Sequence, residues 1–172
     1  NLATQISNYG YYYMENILSK KECDKYINYI DTLFHNNPDN DGLEIDKYNR
    51  LRIKNCDISK FITTKIQKYI DISKIYLYHL WFPTKYIEGG GLATHIDGHS
   101  HNNNKPSSYT ILVYLNDGYE NGKTVILHNN KEIKIIPKAG NILILDQNIL
   151  HYAEKIKNGT KYILRGDIFT QK

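Results

Sequence analysis

Cysteine is scarce in this chain: Cys23 and Cys56 are the only two among 172 residues. Two thiols cannot build the disulfide framework of a small secreted domain, and these two lack C-x-x-C spacing. Their scarcity favours a reducing compartment, with the cytoplasm as the expected location, or simple buried thiols. Long apolar runs are missing too. No stretch approaches the roughly 20 residues of a membrane-spanning helix. Charge of one sign is weak: the net charge is +4, from 22 Lys and Arg against 18 Asp and Glu. The lysines are spread along the chain, whereas a nucleic-acid surface needs them clustered. Neither a nucleic-acid nor a membrane partner is therefore expected. Internal repeats and long linkers are also absent. The first residue is Asn and not Met, which fits a trimmed fragment, so a removed targeting segment stays open.

What is present fits one globular domain over 1–172. The length is enough to bury a real core, and the hydrophobic fraction of 41% and charged fraction of 23% are ordinary. Sixteen tyrosines are many. Abundant Asn, Ile and Lys reflect an AT-rich genome more than a function.

The chain divides into a helical first part, about 1–74, and a β-rich remainder, about 75–170. Tyr9–Ile17 is aromatic and apolar, an expected edge strand. Ser19-Lys-Lys-Glu22 is a capping box, and Cys23, Tyr26, Ile27, Ile30 and Phe34 follow at helical spacing. His35–Gly42 reads as a loop. Asp57 is an expected N-cap for a helix running through Phe61, Ile62, Ile66 and Ile70. From Ile75 onward, short β-rich runs alternate with turn signals: Ile75–Tyr86, Leu92–Asp97, Tyr109–Asn116, Thr124–His128, Glu132–Ile136, Asn141–Asp146, Leu150–Ile156 and Lys161–Phe169. This pattern predicts a mainly β, α+β fold: a two-sheet jelly roll with the helices supporting one sheet face. Polar Gly98–Ser108 is expected to be a mobile loop.

Four side chains carry the chemistry: His95 and Asp97 in T-H-I-D-G, His151 in I-L-H-Y, and Lys161 in G-T-K-Y-I-L-R. Side chains alternate along a strand, so His95 and Asp97 face the same way and can bind one ion. Two imidazoles and a carboxylate make the facial triad that suits non-haem Fe(II) and leaves coordination positions open. Lys161 shares a strand face with Ile163, Arg165 and Asp167. A cation buried there is costly unless an anion meets it. An H-x-D triplet alone is a weak signal, His151 alone is more often structural, and Lys161 alone is most often a solvated strand residue. Their joint order on a jelly roll is the informative feature. His99 and His101 prolong the alternation and make zinc the rival metal. They follow Gly98 in the loop-like stretch, which favours exposed or substrate-facing roles. His35, His79 and His128 have no paired context and read as structural.

These residues and their flanks resemble the Fe(II)- and 2-oxoglutarate-dependent dioxygenases, specifically the prolyl 4-hydroxylase-like branch. The resemblance runs from about Tyr76 to Phe169. It rests on Y-I-E-G-G-G-L-A-T-H-I-D-G (Tyr86–Gly98), Y-T-I-L-V-Y-L-N-D-G-Y (Tyr109–Tyr119), N-G-K-T-V (Asn121–Val125), P-K-A-G-N-I-L-I-L-D (Pro137–Asp146) and L-H-Y-A-E-K-I-K-N-G-T-K-Y-I-L-R-G-D-I (Leu150–Ile168). It implies His95, Asp97 and His151 as catalytic iron ligands and a double-stranded β-helix around them. It implies Lys161 on the distal carboxylate of 2-oxoglutarate, with Tyr114 and Tyr86 beside it and Thr110 as a weaker lining residue. Some branches anchor the co-substrate through an arginine about four residues further on. Arg165 holds that position, so it is the alternative to the preferred Lys161.

The pattern departs from the family at N-G-K-T, where G-G-E-T is usual, which is expected to alter a surface turn and not the site. The arginine pair of nucleic-acid demethylases is absent. Asp97 is the carboxylate that halogenating relatives lack, which favours hydroxylation. The implied reaction uses Fe(II), 2-oxoglutarate and O2, with ascorbate as an auxiliary reductant, and releases succinate and CO2. The substrate expected first is a protein or peptide, the alternative a small molecule. A non-catalytic metal-binding jelly-roll module is the reading of another class. Gly98–Ser108 and Asp39–Asn55 are expected to shape the substrate groove. Asn158-Gly159-Thr160 is a glycosylation sequon, and relatives work in the secretory pathway, which keeps that location open.

Overall fold

The computed structural model describes residues 1–37 and 48–171. The expected loop at His35–Gly42 and the first part of Asp39–Asn55 lie mostly outside those residues. Three α-helices precede the jelly-roll strands: α1 (Leu2–Tyr9), α2 (Lys20–Asn36) and α3 (Cys56–Ile66), all within the first third of the chain or just beyond it. The same third holds strands β1 (Tyr11–Met14), β2 (Tyr48–Arg50) and β3 (Ile53–Lys54). The jelly-roll strands begin with β4 (Ile75–Tyr86), β5 (Leu92–His95), β6 (His101–Asn102), β7 (Lys105–Pro106) and β8 (Tyr109–Tyr114). They continue through β9 (Glu120–Asn121), β10 (Thr124–His128), β11 (Lys131–Ile135) and β12 (Ile142–Asp146). β13 (His151–Ala153), β14 (Ile156–Lys157) and β15 (Lys161–Thr170) complete the chain.

Two antiparallel sheets face each other. The larger runs β1-β12-β8-β15-β4-β2, with β3 also pairing β4; the smaller runs β11-β10-β13-β5. The first third is thus more than helical support, because β1 extends one edge of the large sheet and β2 and β3 extend the other.

Local chemistry explains the elements. Ser19 and Glu22 form both halves of the capping box that starts α2, satisfying two otherwise orphaned N–H groups. α3 is capped by Asn55, whose side chain accepts from Ile58 N at 3.1 Å. Asp57, the expected cap, instead lies in the first turn, where its charge suits the helix dipole. α3 stops at Ile66, and the chain turns so that Ile70 still packs into the core. α1 escaped sequence reading because only Leu2 and Ile6 mark its buried side. Asn1 caps it and Gly10, in a left-handed conformation, ends it. The strand expected over Leu150–Ile156 is interrupted, forming β13 and β14 separately.

The helices cover the outer face of the large sheet. Ile58, Ile62 and Ile66 of α3, spaced at i, i+4 and i+8, join Leu77, Trp81, Ile111, Val113, Ile142, Ile144 and Leu164 in one apolar core. Trp81 is fully buried, and its indole N–H donates to Ser59 Oγ at 2.8 Å. Gly166 on the neighbouring strand has no side chain for a steric reason: a Cβ there would lie 2.7 Å from the Trp81 ring. Each such buried aliphatic or aromatic side chain contributes about 1.5–3 kcal/mol. The inner face of the same sheet, opposite the small sheet, holds the cavity.

Candidate active site

His95 ends β5 and His151 begins β13, and the two residues are register partners in the small sheet. Their rings lie 4.3 Å apart, centroid to centroid. Asp97 falls just beyond β5, so strand alternation alone does not aim it; its N–H donates to Gln147 O at 3.2 Å. Asp97 Oδ1 stands 3.2 Å from His95 Nε2 and 3.5 Å from His151 Nε2. Among the described residues this trio is the one cluster of metal-type donors, all three within 4.8 Å of one another.

The protonation pattern suits a cation. His95 Nδ1 donates to Ala93 O at 2.7 Å and His151 Nδ1 to Ile149 O at 3.0 Å. A carbonyl can only accept, so Nδ1 carries a proton in each ring; each Nε2 faces inward, where it donates to Asp97 when protonated and offers a lone pair to a metal once deprotonated. Two lone pairs and a carboxylate converge on one point, which favours a shared positive charge. Burial opposes ionisation of Asp97, yet hydrogen bonds from His151 and His95 and the field of Arg165 hold its carboxyl well below the usual carboxylate range. The Asp97 contact pushes His95 above its ordinary value. The donor set therefore fits a divalent metal with positions left open.

A buried polar chain stands behind Asp97. Thr110 donates to Asp97 Oδ2 at 2.6 Å, and Gln147 Nε2 donates to Thr110 Oγ1 at 3.2 Å and to Asp167 Oδ1 at 2.8 Å. Ser107 donates to Gln147 Oε1 at 2.7 Å, and Ser100 donates to Asp167. Outer partners of this kind fix ligand orientation. Gln147 and Asp167 had no role in the sequence reading. Their signal was present, however: each is a polar residue set among apolar strand residues, in I-L-I-L-D-Q and I-L-R-G-D-I-F. The same bonds correct the expectation of a mobile loop at Gly98–Ser108. That segment is a hairpin of β6 and β7, fastened to Asp167, to Tyr76 by Asn102 and to Thr170 by Lys105. His99 within it donates its Nδ1–H to Ser107 O at 2.7 Å and lines the cavity without joining the trio, and His101 is exposed.

Lys161 and Arg165 point into the same cavity but differ in what they already hold. Lys161 is 2% exposed, and among the described residues its ammonium donates to a single acceptor, Gly122 O, at 2.8 Å. It sits 5.2 Å from the Tyr86 ring centroid and 5.8 Å from that of Tyr114. Burial lowers its pKa to about 8. An ammonium has three N–H donors, so this one is short of partners and suited to a carboxylate. Arg165 is paired with Asp167 Oδ1 at 3.2 Å, reaches Gly98 O at 3.3 Å and stacks on Phe82. Tyr114 is fully buried and shares a 2.6 Å hydrogen bond with Thr124 across the sheets. Thr110, expected as a lining residue, lies behind Asp97 instead. The N-G-K-T departure also lies nearer the site than a surface turn would, because Gly122 of that turn receives Lys161. Lys123 itself is drawn aside by Glu154, 3.6 Å away.

The cavity, about 730 Å³, contains the trio, Lys161 and Arg165. β4 lines it with every second residue, Tyr78, Leu80, Phe82, Thr84 and Tyr86, as strand alternation requires.

Known proteins of similar sequence and shape place this arrangement. The chain is 27% identical over 128 residues to a PKHD-type hydroxylase of Prochlorococcus marinus strain NATL2A, an alignment covering 73% of this chain. The chain spans 57% of that relative's length. Among solved structures, the viral collagen prolyl hydroxylase of Paramecium Bursaria Chlorella virus-1, in complex with 2OG, has a TM-score of 0.72 at 21% identity, covering 96% of this chain and 98% of its own. A Trichoplax adhaerens prolyl hydroxylase bound to a hypoxia-inducible-factor peptide has a TM-score of 0.76 at 16% identity, covering 98% and 87%. HygX of Streptomyces hygroscopicus, with nickel, 2-oxoglutarate and hygromycin B bound, has a TM-score of 0.68 at 10% identity, covering 98% and 86%. These structures establish the double-stranded β-helix fold. Residues 81–166, half of the chain, match the family model described as 2OG-Fe(II) oxygenase superfamily. With its jelly-roll fold and its open His-Asp-His cluster, the chain belongs to the 2OG-Fe(II) oxygenase superfamily.

Proposed function

We propose that this chain is an Fe(II)- and 2-oxoglutarate-dependent oxygenase that hydroxylates a C–H bond in a protein or peptide, in the manner of prolyl hydroxylases. The observation that carries the reading is the pairing, in one cavity, of an open acceptor trio with a buried ammonium short of partners. His95, Asp97 and His151 would hold the metal through two Nε2 atoms and Oδ1. Lys161 would receive the distal carboxylate of 2-oxoglutarate, with Tyr86 and Tyr114 enclosing it. Arg165 is the weaker anchor, since Asp167 and Gly98 O already engage it. Bound Fe(II) and 2-oxoglutarate supply, with O2, the oxidant that converts C–H to C–OH while succinate and CO2 leave. The residues around them orient Asp97 through Thr110 and exclude water with the Tyr86, Tyr114 and Leu112 wall. The chain is read as one domain, with helical support over about 1–74 and the jelly-roll core over about 75–170. Peptide substrates are favoured by the prolyl hydroxylase likeness. HygX, whose structure holds hygromycin B, keeps a small-molecule substrate as the second reading. A purely structural metal module has no use for open coordination positions beside an unspent cation. Among the described residues no helix is long and apolar enough to cross a membrane.

The test is succinate formation by the purified chain with Fe(II), 2-oxoglutarate and ascorbate, without and with candidate peptides. Turnover stimulated by a peptide supports the reading. Tight zinc binding with no 2-oxoglutarate binding and no turnover sinks it.

A further inference from the structure

Among the described residues the cavity is unbalanced in charge at its mouth. The two carboxylates that line it, Asp97 and Asp167, are 8% and 2% exposed, and both are spent on partners inside. Lys161 belongs to the inner end, and Arg165 is tied to Asp167. Two further cations line the cavity, Arg50 and Arg52. Both are exposed, and neither has a carboxylate partner among the described residues.

Arg50 lies against two aromatic rings. Its guanidinium carbon lies 5.9 Å from the Tyr48 ring centroid and 5.5 Å from that of Phe82. Arg165 stacks on the same Phe82 ring at 4.9 Å. The backbone supports this arrangement, because Arg50 pairs with Thr84 and Phe82 pairs with Arg165 across adjacent strands. A stacked guanidinium keeps its N–H edges free and loses less entropy on meeting a planar anion. Fe(II) and Lys161 together would offset Asp97 and the two negative charges of 2-oxoglutarate, so among the described residues the positive charge of Arg50 and Arg52 remains for the substrate.

We propose that the substrate carries a carboxylate close to the reacting carbon, and that Arg50 and Arg52 receive it at the cavity mouth. This deepens the oxygenase reading and rests on it. The carboxylate has two possible sources: an acidic residue flanking the target in a peptide, or a free small carboxylic acid. Charge-assisted bidentate pairing gives such substrates affinity, and the mouth's field raises their rate of arrival.

The experiment uses the full chain loaded with Mn(II) and 2-oxoglutarate. Two labelled proline-containing peptides, identical except for Glu or Lys at the flanking positions, are titrated by fluorescence anisotropy. N-acetyl-Pro-Glu is the small-acid competitor. The Glu-flanked peptide is expected to bind at least about tenfold tighter at low salt. Arg50→Gln/Arg52→Gln should abolish that preference, and Arg50→Glu/Arg52→Glu should invert it. Displacement by N-acetyl-Pro-Glu at concentrations near the peptide's own Kd assigns the small acid; displacement only at far higher concentrations assigns the peptide. Equal binding of the two peptides, binding of neither, or a preference that survives Arg50→Gln/Arg52→Gln overturns the proposal. 2-Oxoglutarate binding by the unmodified chain is measured in parallel. Its absence sinks the oxygenase reading and this proposal together, whereas a chain that binds it but ignores substrate charge sinks only the proposal.

Discussion

The two faces of the seven-stranded sheet share a backbone and differ in almost everything else. Along β8, Ile111 and Val113 enter the helix-covered core, while Leu112 and Tyr114 line the cavity. Along β15, Leu164 and Ile168 face the helices, while Lys161, Ile163, Arg165 and Asp167 face the site. One face is assembled from aliphatic volume that only needs to fit. The other gathers charged and hydroxyl groups whose burial is costly unless each has a partner. Stability and chemistry are thus carried by alternate residues of the same strands, and substitutions on either face should separate them.

The largest effect is expected at Asp97. Asp97→Ala removes the one anion of the trio, so divalent-metal affinity should fall by more than about 100-fold. Turnover should vanish, as metal titration and succinate formation would read. Trp81→Ala tests the opposite face. It should cost about 3–5 kcal/mol in denaturant unfolding, yet leave the Kd for 2-oxoglutarate unchanged in the molecules that remain folded. A large change in that Kd would mean that the two faces are not separable.

Lys161→Ala comes next. Loss of a buried charge partner should raise the Kd for 2-oxoglutarate at least about 30-fold, with Arg165→Ala changing it far less. The reverse ranking would transfer the anchor to Arg165. Gln147→Leu breaks the chain behind Asp97 without touching the trio. A drop in metal affinity of roughly tenfold, with a shifted absorption band for the Fe(II)–2-oxoglutarate complex, is expected. An unchanged band would make Gln147 a packing residue only.

The smallest effect is in pH. Burial lowers the Lys161 pKa to about 8 from an ordinary 10.5. Above pH 8 the lysine of the ligand-free chain is increasingly neutral, and the dianion must recruit a proton to bind. Affinity for 2-oxoglutarate should therefore decline as pH rises through 8, with proton uptake visible by calorimetry in two buffers. The linkage on folding has the opposite sign. The unfolded chain holds this proton more tightly, so buried charged Lys161 costs stability below about pH 8, and that cost is relieved as pH rises toward 10.5.

Much of this molecule was legible in one dimension. The capping box at Ser19, the strand Ile75–Tyr86 and the strand Thr124–His128 follow from short-range patterns and have the expected bounds. The residues His95, Asp97, His151 and Lys161 could be selected because their types and order are unusual together. Other features were hidden for physical reasons. Helix α1 has too few apolar residues to announce itself, and Asn55 and Asp57 are both competent caps that only the backbone path distinguishes. The hairpin at Gly98–Ser108 looks like loop in sequence because its hydrogen bonds reach Tyr76, Asp167 and Thr170, all far along the chain.

The sequence by itself determined the ligand types, the alternation that sends Lys161 and Arg165 to one face of their strand, and the two-sheet architecture that lets distant strands meet. Those are consequences of side-chain chemistry and strand period. Only the tertiary structure decided that Thr110 serves Asp97 and that Arg165 is held by Asp167. It also decided that Lys161 is left with donors to spare and that Arg50 stacks on Phe82 at the mouth. Each of these depends on which polar group finds which partner across separate strands, and the same residue types permit several pairings until packing selects one.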